Sequence, residues 1–248
     1  MEKKLFTLDL LNDDNNNVRV DLVKKDLGTI LRDTLDIVEN HAGLYEIIGI
    51  YLVGSHARGE ESNDSDIDVL VISADTDREM IHDGTYNILI ISERLLEWKL
   101  ENDLLPIGTM LKEARALINS SYVVNLIEIK VTKKNVKWYI DTTKEKLELL
   151  KEILESTAEG KIPDRVAYSL VLRIRTLYII QKLIKNQNHS KKELIKLISR
   201  ISGSNNAYGS YVAVKNDDSD SYKTEKKEAE KLYRYLMNIL KETIALLD

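Results

Sequence analysis

The sequence predicts an α+β chain in which a small sheet domain is followed by a helical bundle, and three observations predict it. Short, β-branched apolar runs at 47–53, 69–72 and 86–91 lie in the first half of the 248 residues, bounded by Gly, Asp, Asn and Ser. The second half instead spaces its apolar residues three and four apart, as amphipathic helices do. Only two prolines occur, among many Lys, Glu and Leu, so little interrupts those helices.

The elements follow in order. Residues 5–11 and 18–23 suggest two short strands around the polar turn 12–17. Residues 27–39 carry Leu27, Ile30, Leu31, Leu35 and Val38 on one helical face. The strand at 47–53 runs into Gly54-Ser55, a short helix and the strand at 69–72, and a polar interval at 75–84 precedes the third strand at 86–91. Residues 95–119 read as two helices joined near Leu105, because Pro106 removes a helical N–H and Gly108 lies beside it. Residues 122–131 fit a strand or a helix, since Ile127, Ile129 and Val131 alternate with Glu128 and Lys130 while the flanks are helical. A helix is expected at 138–155. Another starts at Pro163 or Asp164 and reaches about Lys185. Ser190 with Glu193 three residues on is a capping box for a helix ending near Ile201. Loops are expected at 202–206 and 216–221. The last helix, 225–247, aligns Ala229, Leu232, Leu236, Ile239 and Leu247. The expected domains are 1–132 and 133–248, the second a bundle of four or five helices.

Composition narrows the class. Hydrophobic content of 43% and charged content of 31% describe a soluble globular chain, with no apolar run near 18 residues and no signal-peptide pattern after Met1. The absence of cysteine excludes disulfides and thiolate metal sites and fits the cytoplasm. A net charge of −5 and a pI near 5.6 argue against a broad basic groove for duplex nucleic acid. The expected partners are therefore small molecules or proteins, with no membrane involved. A homodimer stays open.

The chemistry concentrates in residues 54–68, Gly54-Ser55, ten residues, then Asp66-Ile67-Asp68. Residues two apart on a strand face the same way, so Asp66 and Asp68 project together while Ile67 packs inward. Two adjacent carboxylates repel unless a cation lies between them, and Mg²⁺ prefers a few carboxylates completed by phosphate oxygens and water. A strand ending in Gly-Ser and turning into a helix presents backbone N–H groups and a hydroxyl to a phosphate. Phosphate cradle and paired carboxylates together are what transfer from a nucleoside triphosphate requires.

The run 54–71 resembles the signature of the DNA polymerase β-like nucleotidyltransferase superfamily, and its ten-residue spacing is most similar to the minimal and small-molecule nucleotidyltransferases. The resemblance implies a small mixed β-sheet domain with helices on one face, followed by a helical domain that closes over the nucleotide and supplies the acceptor site. It implies one or two Mg²⁺ ions on Asp66 and Asp68, with Gly54 and Ser55 holding a nucleoside triphosphate, by expectation ATP. The expected reaction moves AMP onto a hydroxyl of a small molecule or a protein.

The same resemblance places a third acidic residue on the third strand. Asn87 stands there, and an amide can bind a phosphate but can neither take a proton nor give a metal charge. The base then comes from Glu93, Glu97 or Glu113, or Asp83 is the residue meant despite the turn that Gly84 suggests, or the enzyme is weakened. Arg58 faces phosphate or solvent. Arg173 and Arg175 read as surface charges, Tyr208, Tyr211 and Lys215 as the edge of a helical core, and His56 as a space filler in the turn. His41, His82 and His189 lack metal-ligand spacing. The alternative function is a nucleotide-binding protein, or an antitoxin-type partner of a nuclease. The chain does not carry that nuclease itself, since the nearest arginine before His189 is Arg175.

Overall fold

The computed structural model describes residues 25–42, 46–63, 65–126, 129–217 and 223–248. The strands expected at 5–11 and 18–23, and the heart of the loop at 216–221, lie outside the described residues. The described residues divide into two compact units, one of 25–136 with 185–188 and one of 137–184 with 189–248.

The first unit is built on a five-stranded mixed sheet of order β3-β4-β2-β1-β5. Its strands are β1 (Ile47–Val53), β2 (Ile67–Ser73), β3 (Arg78–Asp83), β4 (Tyr86–Ser92) and β5 (Arg115–Ile118). β2 lies parallel to β4 and the remaining pairs are antiparallel. Helix α1 (Leu27–Ala42) covers one face, where Ile30 and Val38 meet Ile50, Leu52, Val69 and Ile88. Tyr86 secures that helix: its hydroxyl donates to Asp33 at 2.6 Å, and Lys25 pairs with the same carboxylate at 2.8 Å. The opposite face, carrying Tyr51, Leu70, Ile72 and Ile91, is buried as well. Gly49 allows this packing, because a Cβ there would lie 2.1 Å from the Tyr51 hydroxyl, which donates to Asn119 O.

The polar interval at 75–84 is not a plain connection: β3 occupies most of it and forms a hairpin with β4 through the two-residue turn Gly84-Thr85. As an edge strand, β3 needs no continuous apolar run, which is why hydrophobic periodicity misses it. The second helix expected within 95–119 ends early. After α3 (Glu93–Asn102) and a cis Leu105–Pro106 peptide, α4 (Ile107–Glu113) stops and β5 begins. Of the ambiguous stretch, 122–126 belong to helix α5 (Ser120–Leu126) and 129–131 are neither helix nor strand, with 127–128 outside the described residues.

The second unit contains α6 (Lys137–Ser156), α7 (Asp164–Ile184), α8 (Lys191–Ser202), α9 (Asn206–Lys215) and α10 (Lys226–Leu246). Helix α7 is central and packs against α9 and α10, with Leu170, Val171, Ile174 and Leu177 fully buried. Ser190 caps α8 by accepting the Glu193 N–H, and Glu225 with Glu228 forms a capping box on α10. Tyr168 stacks on Tyr211 with ring centroids 5.3 Å apart, and Tyr208 tilts against the same ring. Arg173 donates to Ser169 O.

One carboxylate holds three segments of this unit together. Asp164, fully buried in the first turn of α7, accepts the Ser210 hydroxyl at 2.5 Å and the Lys223 N–H at 3.3 Å, and Ser210 also meets Thr224 at 2.9 Å. Removing the acceptor strands buried donors on α9 and on the approach to α10. Asp164→Ala is expected to cost about 3 kcal/mol in urea denaturation, whereas Ser210→Ala, which removes one donor of several, costs about 1 kcal/mol.

Candidate functional site

The Gly-Ser turn is formed where β1 ends and the five-residue helix α2 (Gly54–Arg58) begins. Gly54 has φ of +71°, a left-handed conformation that glycine adopts without strain. It also meets a close neighbour: a Cβ at this position would lie 2.2 Å from Asp68 Oδ2. The pairing of Val53 with Asp68 in the β1–β2 ladder brings this about, because it places the Asp68 carboxylate against the start of α2. The Gly-Ser turn and the second Asp of the Asp-x-Asp are thus in contact, and only glycine leaves room for them.

Asp66 immediately precedes β2 and is exposed, while Ile67 is buried and donates its N–H to Thr85 O at 2.8 Å. The loop between α2 and Asp66 is tied internally. His56 Nε2 donates to Ser65 O at 3.3 Å, and the Ser62 N–H donates to Ser65 Oγ at 2.9 Å.

Glu113 lies within the site but is not a free carboxylate. Its Oε1 accepts the Gly54 N–H at 2.7 Å and its Oε2 accepts Arg58 at 2.5 Å, with only 6% of the side chain exposed. Arg58 also donates through Nε to Glu60 at 3.0 Å. Burial pushes the Glu113 carboxyl up, the Arg58 guanidinium and the Gly54 N–H pull it back, and Asp68 adds a smaller upward push. The Gly54 N–H, expected to be open to a phosphate, is therefore occupied by Glu113. Val53 offers no side-chain cap to α2, and Glu113 supplies one from α4.

Asn87 lies beside Asp68 in the parallel β2–β4 register and donates Nδ2 to Asp68 Oδ1 at 3.2 Å. Its Oδ1 meets His82 Nδ1 at 2.7 Å from the adjoining β3. His82 was passed over in the sequence because it has no metal-ligand spacing, although the two-residue Gly84-Thr85 turn sets it opposite Asn87. Glu93 is not brought to this site. It begins α3 beyond the far end of β4, six residues from Asn87 and about 20 Å along the strand. There it accepts the Tyr122 hydroxyl, whose pKa burial and this bond raise, and Glu97 lies near the same hydroxyl. Asp83 pairs with His41 at 3.6 Å. Gly54, Ser55, Arg58, Asp66, Asp68, Asn87 and Glu113 are thus gathered at one end of the sheet, and Glu93 is left at the other.

The donor set suits a hard cation that shares its coordination with substrate phosphates. Asp68 keeps its Oδ2 edge against the Gly-Ser turn, Asp66 is open to solvent, and no cluster of three metal-ligating side chains exists among the described residues.

The first unit is thus a mixed sheet with a Gly-Ser turn packed against an Asp-x-Asp strand. Over residues 31–200 the chain matches the nucleotidyltransferase domain family, and it belongs to that family. It is accordingly a nucleotidyltransferase, with a nucleoside triphosphate as substrate. A nucleotidyltransferase-like protein from Exiguobacterium sibiricum, known from a crystal structure, shares 14% identity at a TM-score of 0.40, over 88% of this chain and 77% of that one. No curated protein matches the chain.

Two substitutions test the geometry. Gly54→Ala must adopt an unfavourable φ and displace Asp68, so it is expected to cost about 1–3 kcal/mol in denaturation and at least tenfold in calorimetric nucleotide affinity. Glu113→Gln removes one of the two carboxylates that pair with the Arg58 guanidinium and leaves it with Glu60. It is expected to destabilise the first unit by about 3 kcal/mol and to weaken nucleotide binding, whereas loss of a free general base would slow turnover and leave both unchanged.

Proposed function

We propose that the chain transfers AMP from ATP to a hydroxyl of a small molecule or a protein, with Mg²⁺ held by Asp66 and Asp68. The observation that carries this reading is the approach of Asp68 to Gly54, which sets a carboxylate directly against the Gly-Ser turn. Ser55 donates its hydroxyl to the triphosphate, and Arg58, with two of its donors engaged by Glu60 and Glu113, directs the remaining N–H groups at it. Glu113 holds the turn in shape. Mg²⁺, when bound, supplies charge that offsets the developing charge on the pyrophosphate. With Glu113 balanced by Arg58, two carboxylates remain for the metal, which matches the charge of one divalent ion better than two.

The helical unit carries acceptor recognition in this reading. A net charge of −5 favours a cationic acceptor such as an aminoglycoside, through electrostatic steering. The absence of cysteine supports a cytoplasmic setting, and no helix among the described residues is long and apolar enough to cross a membrane. A second reading, nucleotide binding without turnover and action through a protein partner, draws on Asn87 at the third acidic position.

Asp68→Asn decides between them. It is expected to keep the circular dichroism of the native chain while lowering Mg²⁺-dependent pyrophosphate release from ATP by about 10³-fold or more, and EDTA should do the same to the wild type. Equal, measurable turnover in the variant and the wild type overturns the assignment of Mg²⁺ to Asp68, and a wild type without turnover removes the transferase reading in favour of the binder.

A further inference from the structure

Asp68, Asn87 and His82 occupy one row across three adjacent strands, since Asn87 is the register partner of both the others. The hydrogen bonds along this row set the chemistry of its last member. A carboxylate only accepts, so the atom that Asn87 turns toward Asp68 is the amide nitrogen, at 3.2 Å. The amide oxygen is thereby directed to the other side, where it meets His82 Nδ1 at 2.7 Å. An amide oxygen also only accepts, so His82 carries its proton on Nδ1. In the neutral ring the lone pair is then on Nε2. The imidazole is exposed, and a molecule arriving from solvent can reach it. Its strand neighbours point away: Ile81 packs with the α1 face and Asp83 is paired with His41.

We propose that His82 is the general base of the transfer, held in its basic tautomer by Asn87, one strand beyond the position where the resembled enzymes place a carboxylate. The inference rests on the transferase reading above. In the step, the acceptor hydroxyl gives its proton to His82 Nε2 and the acceptor oxygen bonds to the α-phosphorus. The bond from that phosphorus to the bridging oxygen breaks, and pyrophosphate leaves with its electron pair. Asn87 is a positioning residue. It takes no proton, and its neutral amide passes the orientation of Asp68 to the imidazole.

Two measurements on the full chain test this. In long-range ¹H–¹⁵N spectra at alkaline pH, with His82→Gln identifying the resonances, the wild type is expected to show the Nδ1–H tautomer. Asn87→Ala should return the ring to the Nε2–H form that an unrestrained histidine favours. An Nε2–H ring in the wild type overturns the proposal. The second measurement follows pyrophosphate release from ATP and Mg²⁺, with water, an aminoglycoside mixture and hydroxyl-bearing peptides as acceptors. His82→Ala is expected to slow release about 10²-fold at unchanged ATP affinity. The double variant His82→Ala with Asn87→Asp, which restores a carboxylate on β4, should recover at least tenfold of that loss. A His82→Ala chain as fast as wild type, beside an inactive Asp68→Asn chain, overturns the base and leaves the transferase reading standing. A wild type that releases no pyrophosphate overturns both.

Discussion

The site depends on a buried carboxylate that belongs to none of its expected roles. Helix α2 is only five residues long and begins at a glycine in the left-handed region, so it has neither the length nor the capping residue to hold itself. Glu113 reaches it from 59 residues away in sequence and bonds both its first N–H and its last side chain. A carboxylate this well buried is costly to ionise, and the two donors are what make the charged form tolerable. The dependence is mutual. Without Glu113 the buried Arg58 guanidinium keeps only its Glu60 pairing, and without Arg58 the carboxylate is a buried anion.

From that anchor the rest of the geometry follows through the sheet. Once α2 is fixed at the end of β1, the pairing of Val53 with Asp68 decides which carboxylate lies against the turn. The parallel pairing of Asp68 with Asn87 then decides which side chain flanks it, and the β3–β4 hairpin decides what flanks Asn87. A shift of one residue in either ladder would turn each of these side chains to the α1 face and bring Ile67, Ile88 and Ile81 out in their place. The apolar alternation that builds the core is therefore also what aligns the polar row.

Strands β1, β2 and β4 were legible because each carries a short, mostly β-branched apolar run with polar boundaries, α7 because of its apolar period, and α8 and α10 because their caps and periods agree. β3 was not, since Arg78, Glu79, His82 and Asp83 make an edge strand look like a loop. β5 was hidden because four residues after a helix carry too little periodicity to separate strand from helix. Site legibility follows the same division. Gly54, Ser55, Asp66 and Asp68 stand close together in sequence, and their spacing pointed to one place. Glu113 was singled out for its charge, but its partners lie in a segment that only the tertiary fold brings near. Glu93 is adjacent to β4 in sequence and far from the site in space, because a strand of seven residues separates its two ends by about 20 Å.

The amide at position 87 changes the electrostatics of the row more than its size suggests. A third carboxylate beside Asp68 would add like charge, raise the proton affinity of its neighbours and call for a second cation. Asn87 removes that repulsion while keeping a planar side chain with a donor on one edge and an acceptor on the other. The donor edge satisfies Asp68 and the acceptor edge satisfies His82, so both polar neighbours are engaged by one uncharged group. An aspartate at 87 could still accept from His82 Nδ1, but it would face Asp68 with nothing to donate. The presence of histidine on the edge strand and of asparagine on the inner strand is thus one arrangement, in which each residue makes chemical sense of the other.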